Sequence, residues 1–214
     1  MDSRSGKNGI APPNLHTYGR GMIRHAIGNI SGVILAAGLS RRAGAFKPTA
    51  LVGKTPLLLH AVEGLLGFCS DVVVVVGHER ERAEALIQGR NRVSSVFNPR
   101  FRDDMFYSVQ IGAGAVPVTS GAFFVLPVDC PLDHPLVLQA MLDSRQNDRA
   151  VVPTHEGRGG HPVLLPARAR AMILESAPPT TLRDIVSRIG SIRVVVDSPS
   201  ILLDLDKPAD FEKP

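Results

Sequence analysis

The chain has 214 residues, 44% of them hydrophobic, and is therefore long enough to bury a core without disulfide bonds or structural metals. It has a formal net charge of +4, 5% aromatic residues and no tryptophan, and so lacks the basic and aromatic surface typical of nucleic-acid-binding proteins. No apolar run approaches the roughly 18 residues that cross a membrane, so we expect neither a nucleic acid nor a membrane as a partner.

Residues 1–28 are rich in glycine, proline and polar side chains and show no hydrophobic period. We expect a disordered or loosely packed extension there, and the lack of an apolar stretch argues against a secretory signal. Residues 29–214 contain no linker-like segment, which predicts a single domain. Cys69 and Cys130 lie in or beside apolar segments, so we expect buried thiols in a cytoplasmic protein.

From residue 31 onward, short apolar runs alternate with segments of helix length. The runs are apolar throughout, which predicts strands that are buried on both faces. Strands that alternate with helices indicate a Rossmann-like three-layer α/β sandwich with a mostly parallel central sheet. The predicted strands are Val33–Ala37, Val72–Val76, Val93–Phe97, Ala122–Val128, Ala150–Val152, Val163–Leu165 and Val194–Val196.

Capping residues and prolines mark where the intervening helices begin. Thr55 and Pro56 fit the N-cap and first position of one helix. Thr181 and Asp184 have the spacing of a capping box ahead of another. Further helical patterns cover Glu79–Gln88, Met105–Ala115 and a segment that begins at Asp133–His134–Pro135.

The segment Val33–Lys47, VILAAGLSRRAGAFK, has the layout of a buried strand that runs into an anion-binding loop. Glycines let the backbone approach a phosphate, and cations neutralise its charge. The loop contains Gly38, Gly44, Arg41, Arg42 and Lys47. The segment lacks both the Walker phosphate-binding pattern and the GxGxxG dinucleotide-binding pattern. The alternative to an anion-binding loop is an ordinary solvated basic loop. We interpret the segment as the triphosphate site of a nucleotidyltransferase.

Carboxylates follow two later apolar segments. Asp129 comes directly after Ala122–Val128, where a carboxylate needs solvent, a capping role or a metal. Mg²⁺ is commonly bound by one or two carboxylates together with phosphate oxygens, so we interpret Asp129 as a Mg²⁺ ligand rather than a turn residue. Asp204 and Asp206 lie on one side of a short extended segment and serve either a metal or the cap of a terminal helix.

The glycine-rich segment Gly157–His161 carries Arg158 and His161. These side chains suit an anionic or polar acceptor, the molecule that would receive the nucleotidyl group. The alternative is a plain hairpin connection. We expect His161 to position the acceptor rather than to act as a general base. An attacking phosphate is already ionised near neutral pH and needs no base.

Five segments in order resemble the motifs of the MobA-like nucleotidyltransferases, which prepare or extend the molybdenum cofactor with a nucleotide. The first is LAAG-x-S-x-R-x-G-x-x-K, from Leu35 to Lys47. The others are DMFYSV from Asp104, LPVDCP from Leu126, GRGGHPVL from Gly157 and LDLDKPADF from Leu203. Two positions depart from the family pattern. Asp104 stands where the family usually has glycine, and Ala43 where it usually has methionine.

The resemblance implies a fold like that of the nucleotide-diphospho-sugar transferases, with Mg²⁺ as cofactor. The implied nucleotide-binding residues are Leu35, Ala36, Ala37, Gly38, Arg42, Lys47, Gly77, Ser108 and Asp129. Lys47 and Arg42 are the implied catalytic residues, and Asp129 and Asp206 the implied metal ligands. The implied acceptor-binding residues are Arg158, Gly160 and His161.

The LAAG sequence, Leu35–Gly38, resembles the cytidylyltransferase branch, whereas the guanylyl branch tends to carry LAGG. The methyl group of Ala37 would crowd a purine more than a pyrimidine. We therefore expect CTP and molybdopterin as substrates, with a molybdenum hydroxylase receiving the product. The alternatives are a guanylyl, sugar-phosphate or polyol-phosphate nucleotidyltransferase on the same fold, or a non-catalytic carrier of the finished cofactor.

Overall fold

The computed structural model describes residues 29–40, 46–130, 132 and 135–205. The protein is built around a β-sheet with helices on both faces. The strands in these ranges are β1 (Ile30–Ala36), β2 (Leu51–Val52), β3 (Thr55–Pro56), β4 (Asp71–Val76), β5 (Val93–Phe97), β6 (Ala122–Pro127), β7 (Ala150–His155), β8 (Arg158–Gly159), β9 (Val163–Pro166) and β10 (Ser191–Val195). The helices are α1 (Leu57–Leu66), α2 (Arg80–Ile87), α3 (Met105–Ala115), α4 (Pro135–Asp143), α5 (Ala169–Glu175) and α6 (Leu182–Ile189). Short 3₁₀ turns cover Lys47–Thr49 and Pro199–Leu202.

The main sheet has the strand order β10-β7-β9-β6-β1-β4-β5, and β8 pairs with β7. β1 lies at its centre and runs parallel to both β4 and β6, with Val33 opposite Val73 on one side and Val125 on the other. β9 runs antiparallel to β6 and β7. The predicted mostly parallel sheet is therefore confirmed, with one reversed strand between its two parallel parts.

Side chains of β1 alternate between two hydrophobic cores. Ile34 and Ala36 pack on the face covered by α1, α2 and α4. Val33 and Leu35 pack on the face covered by α3, α5 and α6. Because a strand between two helical layers must be apolar on both sides, β1 is buried along its whole length. The predicted three-layer sandwich is confirmed.

Two local predictions differ from the structure, and one helix was not predicted. Thr55 does not cap α1; it pairs with Val52 in a small hairpin, and Pro56 occupies the N-cap without a side-chain hydrogen bond. β5 is not buried on both faces, since it is an edge strand whose Ser94 and Ser95 are exposed. Helix α5 has no strong capping or periodic signal and was not predicted.

The capping box is confirmed. The Thr181 hydroxyl accepts a hydrogen bond from the Asp184 backbone N–H, and the Asp184 carboxylate accepts one from the Thr181 backbone N–H. Both cysteines are free and buried, as expected. No helix in the described ranges combines the length and the apolar character needed to cross a membrane.

Gly112 lets helix α3 approach the sheet closely. A Cβ atom at this position would collide with Cγ1 of Val33 and lie 3.0 Å from Cγ2 of Val75. Gly114, on the same helix, has more room, because its nearest neighbour would be Cδ2 of Leu174 at 3.6 Å. The two glycines of the GAG sequence therefore differ in function, and only the first is required by packing.

We expect Gly112→Ala to lower the free energy of unfolding by about 1–3 kcal/mol, because the added methyl group overpacks the contact between α3 and β1. Urea denaturation measures the change. Gly114→Ala is the matched control, and we expect it to be neutral or slightly stabilising, since alanine favours the helix. Equal effects of the two substitutions would contradict this account.

Candidate active site

The carboxyl ends of β1, β4 and β6 meet at one edge of the sheet. The pairing places Ala36 opposite Val76, and Leu35 opposite Pro127. Backbone hydrogen bonds continue the alignment beyond the strands, since Val128 N–H donates to the Leu35 carbonyl at 3.1 Å. The loop after β1 therefore lies directly beside the turn after β6. Ligands bind at this edge in open α/β sheets.

Lys47 and Asp129 form an ion pair at this edge, with 2.7 Å between Lys47 Nζ and Asp129 Oδ2. The two side chains are 10% and 25% exposed, respectively, so water screens the pair only partly. The backbone of Lys47 is held as well, because its N–H donates to the Ser40 hydroxyl at 3.1 Å. This bond joins the two described ends of the loop and fixes the position of the lysine.

A cavity of about 260 Å³ opens beside this ion pair. It contains most of the predicted nucleotide-binding residues: Leu35, Ala36, Ala37, Gly38, Lys47, Ser108 and Asp129. Ser108 is oriented by Asn98, whose side-chain amide donates to its hydroxyl at 2.9 Å. Arg42, predicted to hold the triphosphate, lies outside the described residues.

Gly77 lies behind the cavity wall rather than among its lining residues. A Cβ atom at this position would lie 2.8 Å from Cβ of Ala37 and 2.7 Å from its carbonyl oxygen. The next residue, His78, donates its N–H to that same carbonyl at 3.1 Å. Gly77 therefore allows the end of β4 to approach Ala37 closely, and the Ala37 methyl group packs against it.

A second cavity, of about 470 Å³, adjoins the first and shares Leu35, Met105, Pro127 and Asp129 with it. Its other lining residues include His161, Thr181, Leu182 and Asp204. Asp104, the departure from the family pattern, also lines it and caps α3 by accepting a 2.7 Å hydrogen bond from the Phe106 N–H. Two separate ligands could therefore both reach Asp129.

The structure separates the three predicted acceptor residues. His161 lines the second cavity, and Gly160 is wedged so tightly against the Ile201 carbonyl that a Cβ atom would collide with it. Arg158 is exposed on β8, opposite His155, and is absent from the lining of both cavities described above. Residues 155–159 therefore form a hairpin connection, which was the alternative interpretation. Within Gly157–His161, only His161 lines the second cavity.

His161 is uncharged near neutral pH. Burial lowers the pKa of its imidazole, although the nearby carboxylates of Asp204 and Asp129 oppose that shift. Its backbone N–H donates to the Ile201 carbonyl at 2.9 Å, while its buried Nδ1 has no hydrogen-bond partner among the described residues. The ring therefore adds no positive charge to the wall of the second cavity.

Asp129, Cys130 and Asp204 form a group that can hold a metal ion, since one donor atom from each lies within 4.8 Å of the others. Burial, and then the two carboxylates, raise the pKa of the Cys130 thiol. The thiol stays protonated and donates to Asp204 Oδ1 at 3.4 Å. The two carboxylates therefore remain as the metal ligands, and carboxylates fit Mg²⁺. Asp206, predicted as the second ligand, lies outside the described residues.

Several lining residues were absent from the predicted site. Ser40 belongs to the first motif, and its role in closing the loop was not recognised. Met105 is 70% exposed and lines both cavities, but a helix-initial methionine carries no chemical signal in the sequence. Asp204 was noted beside Asp206, but the resemblance implied Asp206 as the second metal ligand. Leu205 N–H donates to the Asp129 carbonyl at 2.9 Å, which brings this segment to the site.

Sequence and structural comparisons place these features among known proteins. The chain is 26% identical over 184 residues to the molybdenum cofactor cytidylyltransferase of Escherichia coli (strain K12), covering 84% of this chain and 92% of that protein.

Two solved structures share the fold. A nucleotidyl transferase from Methanothermobacter thermautotrophicus superposes with a TM-score of 0.72 at 18% identity, covering 85% of this chain and 94% of that one. The 4-diphosphocytidyl-2C-methyl-D-erythritol synthase of Anaerococcus prevotii superposes with a TM-score of 0.70 at 12% identity, covering 86% and 93%. The sequence model of a protein family, the MobA-like NTP transferase domain, matches residues 32–192 of the chain. The chain is therefore a nucleotidyltransferase of the MobA-like NTP transferase family.

Proposed function

We propose that this enzyme transfers CMP from CTP to the phosphate of molybdopterin and releases pyrophosphate. The observation that carries the proposal is that two adjoining cavities share Asp129, which is ion-paired to Lys47. A nucleotide in the first cavity and an acceptor in the second would meet at these two side chains. The similarity to a molybdenum cofactor cytidylyltransferase and the LAAG sequence support the choice of substrates.

Lys47 is the group that we assign to charge stabilisation. Its ammonium is held at the junction of the cavities by Asp129 and by the Ser40 bond to its backbone. A cation fixed in a partly buried site stabilises charge that develops on a phosphate without having to reorganise. Mg²⁺ bound by Asp129 and Asp204 would add positive charge beside the phosphates. Arg42 is proposed to hold the triphosphate with Lys47.

The acceptor side needs orientation more than proton transfer. An acceptor phosphate is already ionised near neutral pH, and phosphoryl-group chemistry depends mainly on positioning and electrostatics. The neutral His161 ring lines the second cavity and can orient the acceptor there without adding charge. We therefore assign it a positioning role.

A second candidate is cytidylyl transfer to a polyol phosphate. The fold shared with the 4-diphosphocytidyl-2C-methyl-D-erythritol synthase suggests it, since that enzyme's name gives a polyol carrying a cytidyl group as its product. A non-catalytic carrier is less consistent with the site, because holding a finished cofactor does not require the Lys47–Asp129 pair. Turnover distinguishes all three functions.

We expect pyrophosphate release from CTP, Mg²⁺ and molybdopterin, with slower release when GTP, ATP or UTP replaces CTP. A coupled pyrophosphate assay measures the initial rates, and omission of molybdopterin is the control for CTP hydrolysis. Release with 2-C-methyl-D-erythritol 4-phosphate but not with molybdopterin would support the second candidate. Tight molybdopterin binding without release from any nucleotide would support the carrier.

Asp129→Asn should reduce kcat by about 10²–10³-fold, because it removes the charge that holds Lys47 and would hold the metal. The matched control is Asp103→Asn. Asp103 lines the same nucleotide cavity, but its carboxylate is already paired with Arg100 at 2.9 Å, so we expect little change. Near-full turnover of Asp129→Asn at saturating Mg²⁺ would overturn the metal assignment.

Ala37→Gly should shift nucleotide preference towards GTP by about tenfold in relative kcat/KM, which is the discrimination one methyl group provides. Ala37 lines the nucleotide cavity, and the substitution removes its methyl group, which packs against Gly77. Ala36→Gly removes a methyl group that packs into the opposite core, and it should leave the CTP to GTP ratio unchanged. Kinetics with both nucleotides measure the ratio, and equal shifts in the two variants would exclude a specific role for Ala37.

A further inference from the structure

A third cavity, of about 470 Å³, lies between helix α6 and the strands β7, β9 and β10. It shares His161 and Leu182 with the second cavity, so the two adjoin at these residues. Val152, Val163 and Val186 supply apolar lining. A molecule that binds at Asp129 in the second cavity can therefore continue past His161 into the third.

The charged residues that line the third cavity are two arginines, Arg183 and Arg193, with no carboxylate. Arg183 makes no hydrogen bond or salt bridge with any residue in the described ranges. The neighbouring Asp184 is engaged by the Thr181 backbone and hydroxyl in the capping box. The positive charge of the cavity is therefore not neutralised by an ion pair from its own walls.

The strand that carries Arg193 is held in place. The Arg193 Nη2 donates to the Gly157 carbonyl at 2.7 Å, at the turn between β7 and β8. The Gly160 N–H donates to the Pro153 carbonyl at 2.9 Å, which ties the hairpin to β7. Arg183 lies in the first turn of α6, which the capping box anchors. The backbone segments that carry the two arginines are thus fixed before any ligand binds. Both arginines are exposed, and only the Arg193 side chain is also held by a hydrogen bond.

We infer that the third cavity is a distal subsite for a second negatively charged group of the acceptor, beyond His161 from Asp129. This inference rests on the proposed function and specifies the class of acceptor. The acceptor is elongated, with a phosphate at Asp129, a body against the apolar lining, and a second anionic group at Arg183 and Arg193. The sulfur pair of molybdopterin, deprotonated or bound to metal, is such a group. A compact polyol phosphate has none.

The test compares the Arg183→Ala/Arg193→Ala double variant with wild type for binding of molybdopterin without CTP, by ultrafiltration at equilibrium. We expect the Kd for molybdopterin to rise roughly tenfold, or about 1.4 kcal/mol, since charge-assisted hydrogen bonds are lost. The Kd for CTP should stay unchanged. Arg188→Ala is the matched control, because Arg188 is an exposed arginine of the same helix that is absent from the cavity lining.

A second variant covers the case in which loss of the Gly157 contact disturbs the hairpin. Arg183→Ala alone leaves that contact intact and should still weaken molybdopterin binding several-fold, while Arg183→Lys should restore part of it. Wild-type binding in both Arg183→Ala and the double variant would overturn the inference, and so would equal weakening in Arg188→Ala.

The binding assay separates the subsite from the proposed reaction. If molybdopterin binding depends on the two arginines but no pyrophosphate is released with CTP, the proposed function fails and the subsite remains. If wild type turns over molybdopterin and the double variant retains the wild-type Kd, the function remains and the subsite fails. If wild type binds no molybdopterin and instead uses 2-C-methyl-D-erythritol 4-phosphate, both are overturned.

Discussion

The ion pair between Lys47 and Asp129 is the interaction on which the site depends. It joins side chains 82 residues apart in sequence, and they meet only because β1 and β6 are neighbours in the sheet. A partly buried ion pair contributes little net stability, because desolvation offsets much of the attraction. Its value here is positional, since it holds a cation and a carboxylate where two cavities meet. The central parallel strands can thus be understood as the support for this one contact.

Close backbone contacts set the shape around that pair. Gly77 brings the end of β4 against Ala37, and Gly160 brings the segment after β8 against Ile201. A side chain at either position would force backbone or neighbouring atoms apart. One glycine that packing requires therefore lies beside the first cavity, and another lies beside His161 at the second. Rigid walls of this kind would preserve the geometry between two ligands bound in the cavities.

The two halves of the sheet have different functions in this arrangement. The parallel strands β1, β4 and β6 carry the loop and the carboxylate that are assigned to the nucleotide. The antiparallel strand β9, the β8 hairpin and helix α6 form the walls that are assigned to the acceptor. A family that keeps the first half can change its acceptor by altering the second. In this chain the charged residues on that second half are Asp104, which lines the second cavity, and Arg183 and Arg193, which line the third.

Much of the fold and part of the site could be predicted from sequence, because the signals are local. Apolar runs identified the central strands, and the Thr181–Asp184 spacing identified the start of α6. Leu35–Lys47 and Asp129 carry motifs whose residues follow directly on those strands. The prediction that Thr55 caps α1 was wrong because a tertiary contact overrode the local signal. Thr55 pairs with Val52 in a hairpin instead.

The sequence by itself determined the central strands, a glycine-containing loop after β1 and a carboxylate after β6, because hydrophobic runs and turn residues are local signals in consecutive residues. Tertiary structure alone decided that Asp204 lies beside Asp129 and Cys130, and that Arg158 faces away on an exposed hairpin. It also decided that Arg183 and Arg193 share a cavity. These relations depend on how distant segments pack, and no pattern of neighbouring residues encodes a distance across the fold.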